Sequence, residues 1–217
     1  MGLVNKRTKE ILVAALALTA AVVSLYFAFG RSSSIINLGP YEVLGATTAE
    51  ETAKLVGEKG QVLVIVRDTG VNQNPSVEAE LKTFQQTLTK HPGLTAIMEK
   101  VTVTPMLMMS TGGAVPPDQL FKALESHPNL GGAVLFFAFP QLADAQLDAV
   151  KKFGAKIVVV SSPCAGYRRA LERQAIQLVI APRPDAPPPD APAPRTLRER
   201  FDQEFLIITS AEAAGLP

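Results

Sequence analysis

Residues 61–67, QVLVIVR, run straight into Asp68-Thr69-Gly70 and, a few residues on, into Asn74-Pro75. The apolar positions of this run are continuous rather than alternating, with Val62, Val64, Ile65 and Val66 β-branched. Continuous apolarity means burial on both faces, the condition of a central strand in a parallel sheet. Outward from this strand, helical and strand patterns alternate. Upstream, Thr48 and Glu51 have capping-box spacing and predict a helix to about Lys59, stopped by Gly60. Downstream, Asn74 is a cap residue and Pro75 suits the first helical position, where a missing N–H costs nothing; together they predict a helix through SVEAELKTFQQTLTK.

The pattern then predicts a strand over 94–104, a loop over 106–117 (MLMMSTGGAVPP) and a helix over 118–126. A strand over 133–139 follows, then a helix over 143–153 ended by Gly154, a strand over 157–160, a helix over about 166–174 and a strand over 177–181. Such alternation specifies an α/β fold: a single doubly wound, mostly parallel sheet flanked by helices. Residues 182–194, PRPDAPPPDAPAP, are rich in proline, which has no N–H to donate to a ladder, and read as a polyproline-like excursion, a surface spacer or a ligand for a proline-recognising groove. A charged helix (195–204) and a last strand (205–209, FLIIT) complete an α/β domain spanning 47–217.

Ahead of the domain, residues 11–30, ILVAALALTAAVVSLYFAFG, carry no charge and follow the basic start containing Lys6, Arg7 and Lys9. A bilayer core needs about 20 apolar residues in a helix, so this run predicts one transmembrane helix. The positive-inside rule places residues 1–10 in the cytoplasm as a basic tail. Residues 31–46 become a tether with apolar patches at Ile35-Ile36 and Tyr41-Val43-Leu44. The expected location is the inner (cytoplasmic) membrane of a bacterium, with the domain periplasmic or extracellular. A cleaved signal peptide is the competing reading, since Ala28 and Gly30 are small, but the apolar core is longer than signal peptides use. Ala14, Ala17, Ala21, Ser24 and Ala28 recur at helical spacing and line small residues along one face, which permits close helix packing in lipid. Other membrane subunits and the lipid bilayer are the partners this predicts.

Composition narrows the chemistry. The chain is +1 overall, and its basic start accounts for that charge, so the domain lacks the positive surface that nucleic acid requires. Cys164 is the single cysteine, which excludes an internal disulfide. In a doubly wound sheet, ligands bind beyond the strand C-termini. That edge gathers Arg67-Asp68-Thr69, residues 104–113, Pro140-Gln141, Ser161, Ser162 and Cys164. Asp68, Asn74, Ser161 and Ser162 are the candidate ligand-binding residues, suited to hydrogen bonding a small polar ligand; for Asp68 and Asn74 the alternative role is local turn and cap formation. No catalytic constellation is present: there is no G-x-S-x-G, no phosphate loop and no dinucleotide fingerprint. Gly112-Gly113 and Gly131-Gly132 read as loop glycines. Two histidines and one cysteine make no metal site, and no cofactor is implied. His91 and His127 fall in an internal echo, L-x-x-H-P-[GN]-L, which reads as helix stop plus turn. Tyr167-Arg168-Arg169 reads as helix-surface charge or as an anion contact. Met106-Leu107-Met108-Met109 reads as core or as an adaptable apolar contact.

The segments QVLVIVRDTGVNQNP and GGAVLFFAFPQLADAQLDAVKKFGAKIVVVSSP resemble, in order and length, the first lobe of type I periplasmic binding proteins of the sugar-binding kind. The resemblance covers residues 61–162 and implies a flavodoxin-like lobe with a sugar at the strand-end edge. Proteins of that kind close two lobes on their ligand, whereas this chain is short for a second lobe of comparable size, and affinity needs most of a ligand's surface buried. Two functions are therefore expected. One is a single-pass accessory or scaffold subunit of a larger membrane complex, with an extracytoplasmic α/β docking domain. The other is a membrane-anchored solute-binding or sensing domain.

Overall fold

The computed structural model describes residues 15–20, 23–24, 36–68, 70, 74–161, 167–185 and 194–213. Two compact units result, residues 1–37 and 38–217. In the first, residues 15–20 and 23–24 are helical, including Ala17 and Ser24, while Ala14, Ala21 and Ala28 lie outside the described residues. Among the described residues no helix is long and apolar enough to cross a membrane; most of the 11–30 run lies outside them.

The second unit begins with helix α1 (Gly39–Val56), then β1 (Gly60–Arg67), α2 (Pro75–Leu88), β2 (Leu94–Val101), α3 (Pro105–Ser110), α4 (Pro117–Ser126) and β3 (Leu130–Leu135). There follow α5 (Asp144–Lys152), β4 (Lys156–Val160), α6 (Tyr167–Glu172), β5 (Leu178–Pro182), α7 (Leu197–Glu204) and β6 (Phe205–Ile208). They form one six-stranded sheet in the order β2-β1-β3-β4-β5-β6. The first five strands are parallel, and β6 pairs antiparallel with β5. The QVLVIVR run is the central strand its composition required, with Val62 to Val66 all buried. Even-numbered side chains of β1 and β3 (Val62, Val64, Val66, Val134) pack under α1, α2 and α7 with Val43, Phe84, Leu88 and Phe201. Odd-numbered ones (Leu63, Ile65, Ala133, Leu135) pack under α4, α5 and α6 with Leu120, Leu124, Leu147, Val150 and Leu171. Both faces are thus covered, as a parallel sheet demands.

The structure corrects the sequence at several points. Thr48 does not cap a helix. It sits buried inside α1, its hydroxyl donating to Leu44 O at 2.7 Å, as that of Thr52 does to Thr48 O. Such bonding to the carbonyl four residues back satisfies a buried threonine without ending the helix. Glu51 pairs instead with Lys54 and, at 3.5 Å, with Arg198 of α7. The helix starts at Gly39-Pro40, so Val43 and Leu44, expected in the tether, belong to the core. It ends at Gly57, whose φ of 89° only glycine adopts readily. Gly131 and Gly132 are not loop residues: they lie in β3, where a side chain would overlap Val56 at the end of α1. The 106–117 loop contains the short α3, capped by Thr104, whose Oγ1 accepts from Leu107 N.

Both halves of the L-x-x-H-P-[GN]-L echo end a helix and enter a strand. In the second, Asn129 has a φ of 66°, a left-handed conformation that asparagine tolerates. In the first, Gly93 lies so close to Glu58 that a Cβ would overlap its carbonyl oxygen. The histidines meet carboxylates, His91 with Glu50 at 3.3 Å and His127 with Glu99 at 3.0 Å. Among the described residues no group of His, Cys, Asp and Glu could hold a metal.

The candidate site at the strand ends

The C-terminal ends of β1 to β5 define one edge of the sheet. Leaving β1, Asp68 keeps its backbone in register by donating its N–H to Val101 O at 2.9 Å. Its side chain then turns the chain: Oδ1 accepts from Gly70 N at 3.0 Å, and Oδ2 is 3.5 Å from the Thr102 hydroxyl, a long contact. Asn74 caps α2, its Oδ1 accepting from Ser76 N at 3.0 Å. Both residues are exposed at the edge. Ser161 leaves β4 with its N–H donated to Ile180 O, and it is half-buried. Ser162 and Cys164 lie outside the described residues. Each described candidate is therefore at the edge the topology favours, and for Asp68 and Asn74 the side-chain bonds are those of a turn and a cap.

Around them the edge carries features that spacing alone did not show. Arg67 points to the α4–α6 face, where its guanidinium lies over the Phe137 ring at 5.4 Å, within cation–π range. Its Nε is buried without a hydrogen-bond partner among the described residues. Beyond the ends of β2 and β3 opens a cleft of about 420 Å³, lined by Ser110, Thr111, Gly112, Phe139, Pro140 and Gln141 among others. Its floor is held by Val115 N donating to Ala138 O and by Phe139 N donating to the buried Tyr167 hydroxyl at 3.2 Å. Asp68, Asn74 and Ser161 do not line this cleft, so the edge offers separate polar points and a shallow hollow. Arg168 and Arg169 are engaged, with Glu172 and Asp144 respectively. The Arg169 hydrogen bond holds the Asp144 carboxyl below its usual range. These arginines serve as helix-surface charge.

One titratable group behind the edge was not foreseen. Glu80 stands on the buried stripe Ser76-Glu80-Phe84-Leu88 of α2 and is 8% exposed. Its Oε1 has no partner among the described residues, and burial pushes its carboxyl from 4.5 up to about 8.

No protein-family model and no curated protein matches the sequence. Solved structures do match in fold. A solute-binding protein of an ABC transporter from Agrobacterium vitis, bound to α-D-tagatopyranose, is 19% identical with a TM-score of 0.52, covering 78% of this chain and 56% of its own. An arabinose-binding protein from Geobacillus stearothermophilus is 15% identical with a TM-score of 0.55, covering 82% and 63%. A putative LacI transcriptional regulator from Bacteroides fragilis is 11% identical, again with a TM-score of 0.55, covering 82% and 62%. The fold is thus similar to part of that of the type I periplasmic binding proteins, as the 61–162 resemblance implied. The chain spans less than two thirds of the length of these structures. Fold does not carry function by itself, since one fold here serves transport proteins and a regulator.

Proposed function

We propose that this chain is a membrane-anchored, extracytoplasmic solute-recognition or sensing domain of the periplasmic binding protein-like type. Its strand-end edge, with Asp68, Asn74, Ser161 and Ser162, would receive a small polar ligand of the sugar class. The observation that carries this reading is the sheet order with five parallel strands ending at one edge, shared in fold with sugar-binding proteins. Arg67 adds a cation beside the same edge. The anchor is the uncharged 11–30 run, whose described parts are helical with Leu16 and Leu18 exposed, and the basic start keeps the N-terminus cytoplasmic.

One sheet edge buries only one side of a sugar, and tight small-ligand sites enclose most of the ligand. A facing wall therefore comes from a partner, which joins this reading to that of a subunit in a larger membrane assembly. The test is a thermal-shift screen of the detergent-solubilised full chain against pentoses and hexoses, alone and with co-purified membrane partners. Ligand that binds only the folded form raises the melting temperature with concentration, and Asp68→Asn with Ser161→Ala should abolish that rise. No shift with any sugar, with or without partners, removes solute recognition and leaves the docking subunit.

A further inference from the structure

Strand β6 runs antiparallel to β5, so its C-terminal end arrives at the edge where the other strands begin, opposite the edge of Asp68 and Asn74. There Ser210, just past β6, joins Lys156 at the start of β4 and Gln177 just ahead of β5. Lys151 in the last turn of α5 and Gln174 beyond α6 complete the rim of a pocket of about 280 Å³. Its floor is apolar, made by the buried Ala155, Leu171 and Ile176. The side chain of Gln177 ties the walls together, Oε1 accepting from Ile157 N and Nε2 donating to Gln174 O. The pocket is therefore preformed, at the small end of the range that small-molecule sites occupy.

The charged residues lining it are Lys151 and Lys156, and no carboxylate lines it. The acids on the elements that build the pocket are engaged elsewhere. Asp144 is held by Arg169 and Arg173, Asp148 by Arg173, and Glu172 by Arg168. Glu212 accepts from the backbone N–H and the hydroxyl of Thr209. Both lysines are thus left without a carboxylate partner among the described residues. Helices α5 and α6 end at this edge, and each terminus contributes at most about half a negative charge. Their last carbonyls are moreover capped, Lys151 O by Gly154 N at 3.1 Å and Ala170 O by Ala175 N at 2.9 Å. Two ammonium groups against two such termini leave a surplus of about one positive charge.

We propose that this pocket binds a small organic monocarboxylate, with its oxygens held by Lys151 and Lys156 and its apolar body on Leu171 and Ile176. The surplus charge matches a single anionic group, and charge-assisted N–H bonds to carboxylate oxygens are the stronger kind. The Gln174 amide and the Ser210 hydroxyl supply neutral donors at the rim. An ammonium group on the ligand would meet two like charges and no acid, so amines and amino acids are rejected. This site lies apart from the strand-end edge and does not depend on the function proposed for it.

The test is a titration of the detergent-solubilised full chain with carboxyl-labelled butyrate, followed by the NMR linewidth of the label at neutral pH and constant ionic strength. Butyrate should bind saturably, and neither butylamine nor 4-aminobutyrate should displace it. Lys151→Gln with Lys156→Gln should weaken binding by about tenfold or more, whereas Lys152→Gln, outside the pocket lining, should leave it unchanged. Gln174 has a φ of 59°, which glycine adopts more readily, so Gln174→Gly should weaken binding without lowering the melting temperature. Asp68→Asn with Ser161→Ala should not affect it. No saturable binding, binding that survives the double lysine substitution, or an equal loss with Lys152→Gln overturns the site. Displacement by butylamine overturns the charge argument, and loss of binding in the Asp68→Asn, Ser161→Ala chain overturns the location by moving butyrate to the strand-end edge.

Discussion

Gly45 of α1 lies against the backbone of Glu80 in α2: a methyl group on Gly45 would overlap the Glu80 carbonyl oxygen and lie 3.1 Å from Phe84 N. The two helices that roof the central strand are therefore in near-backbone contact, and glycine is what allows it.

Replacing that glycine sets two effects against each other. Gly→Ala inside a helix gains about 0.5–1 kcal/mol of propensity, whereas forcing helices apart in a packed core costs about 1–3 kcal/mol. Overlap with backbone cannot be relieved by a rotamer change, so Gly45→Ala should destabilise the domain by about 1–2 kcal/mol net. Urea denaturation of the detergent-solubilised chain checks the sign, and a gain in stability would refute the close contact.

Glu80 gives the domain a pH dependence. Its carboxyl is raised from 4.5 to about 8 by burial, so the folded state holds its proton where the unfolded chain has lost it. Its stabilisation is whole below pH 4.5 and is lost as pH rises toward 8, at up to about 1.4 kcal/mol per pH unit. Glu80→Gln should flatten this slope, matching the parent at pH 4 and exceeding it at pH 8. Melts across that range decide, and parallel curves would mean the carboxylate finds a partner or water.

For Asn74, cap and ligand roles separate by substitution. Its Oδ1 accepts from Ser76 N, so Asn74→Ala should cost about 1 kcal/mol and Asn74→Asp close to none. Should Asn74→Asp keep the stability yet weaken sugar-induced stabilisation, the amide contacts ligand as well.

Phe201 tests whether the chain beyond the proline-rich segment is integral to the fold. It is 1% exposed, and its ring lies 5.6 Å from that of Phe205 under the α1 roof. Phe201→Ala should cost about 3–5 kcal/mol; a loss below 1 kcal/mol in an equilibrium melt would mean α7 is only peripherally attached.

The strands were legible because burial on both faces leaves uninterrupted apolar runs, as in residues 61–67 and 157–160. Helix α2 was legible from Asn74-Pro75. The start of α1 was not, because Thr48 and Glu51 have capping-box spacing whether or not a helix begins there, and Gly39-Pro40 resembles a breaker as much as a first turn. The direction of β6 was illegible too: FLIIT is apolar whichever way it runs. At the site, the edge positions of Asp68, Asn74 and Ser161 followed from topology. The stacking of Arg67 on Phe137 joins residues far apart in the chain, and the burial of Glu80 depends on how close Gly45 brings α1.

The antiparallel closure at β6 has a mechanical corollary. Pro182 pairs with Phe205, and Arg183 N donates to Glu204 O at 2.8 Å, so the chain departs from the sheet and rejoins it at a single rung. Between those two points the chain passes through α7, which Phe201 packs into the core, so the rung and this helix fix the return independently of the length of the intervening sequence. An entire folded module grafted after Asp185 would load neither strand, because exit and return points are already fastened to each other. The domain is in this sense a ready host for inserted cargo, with its point of attachment fixed in the backbone.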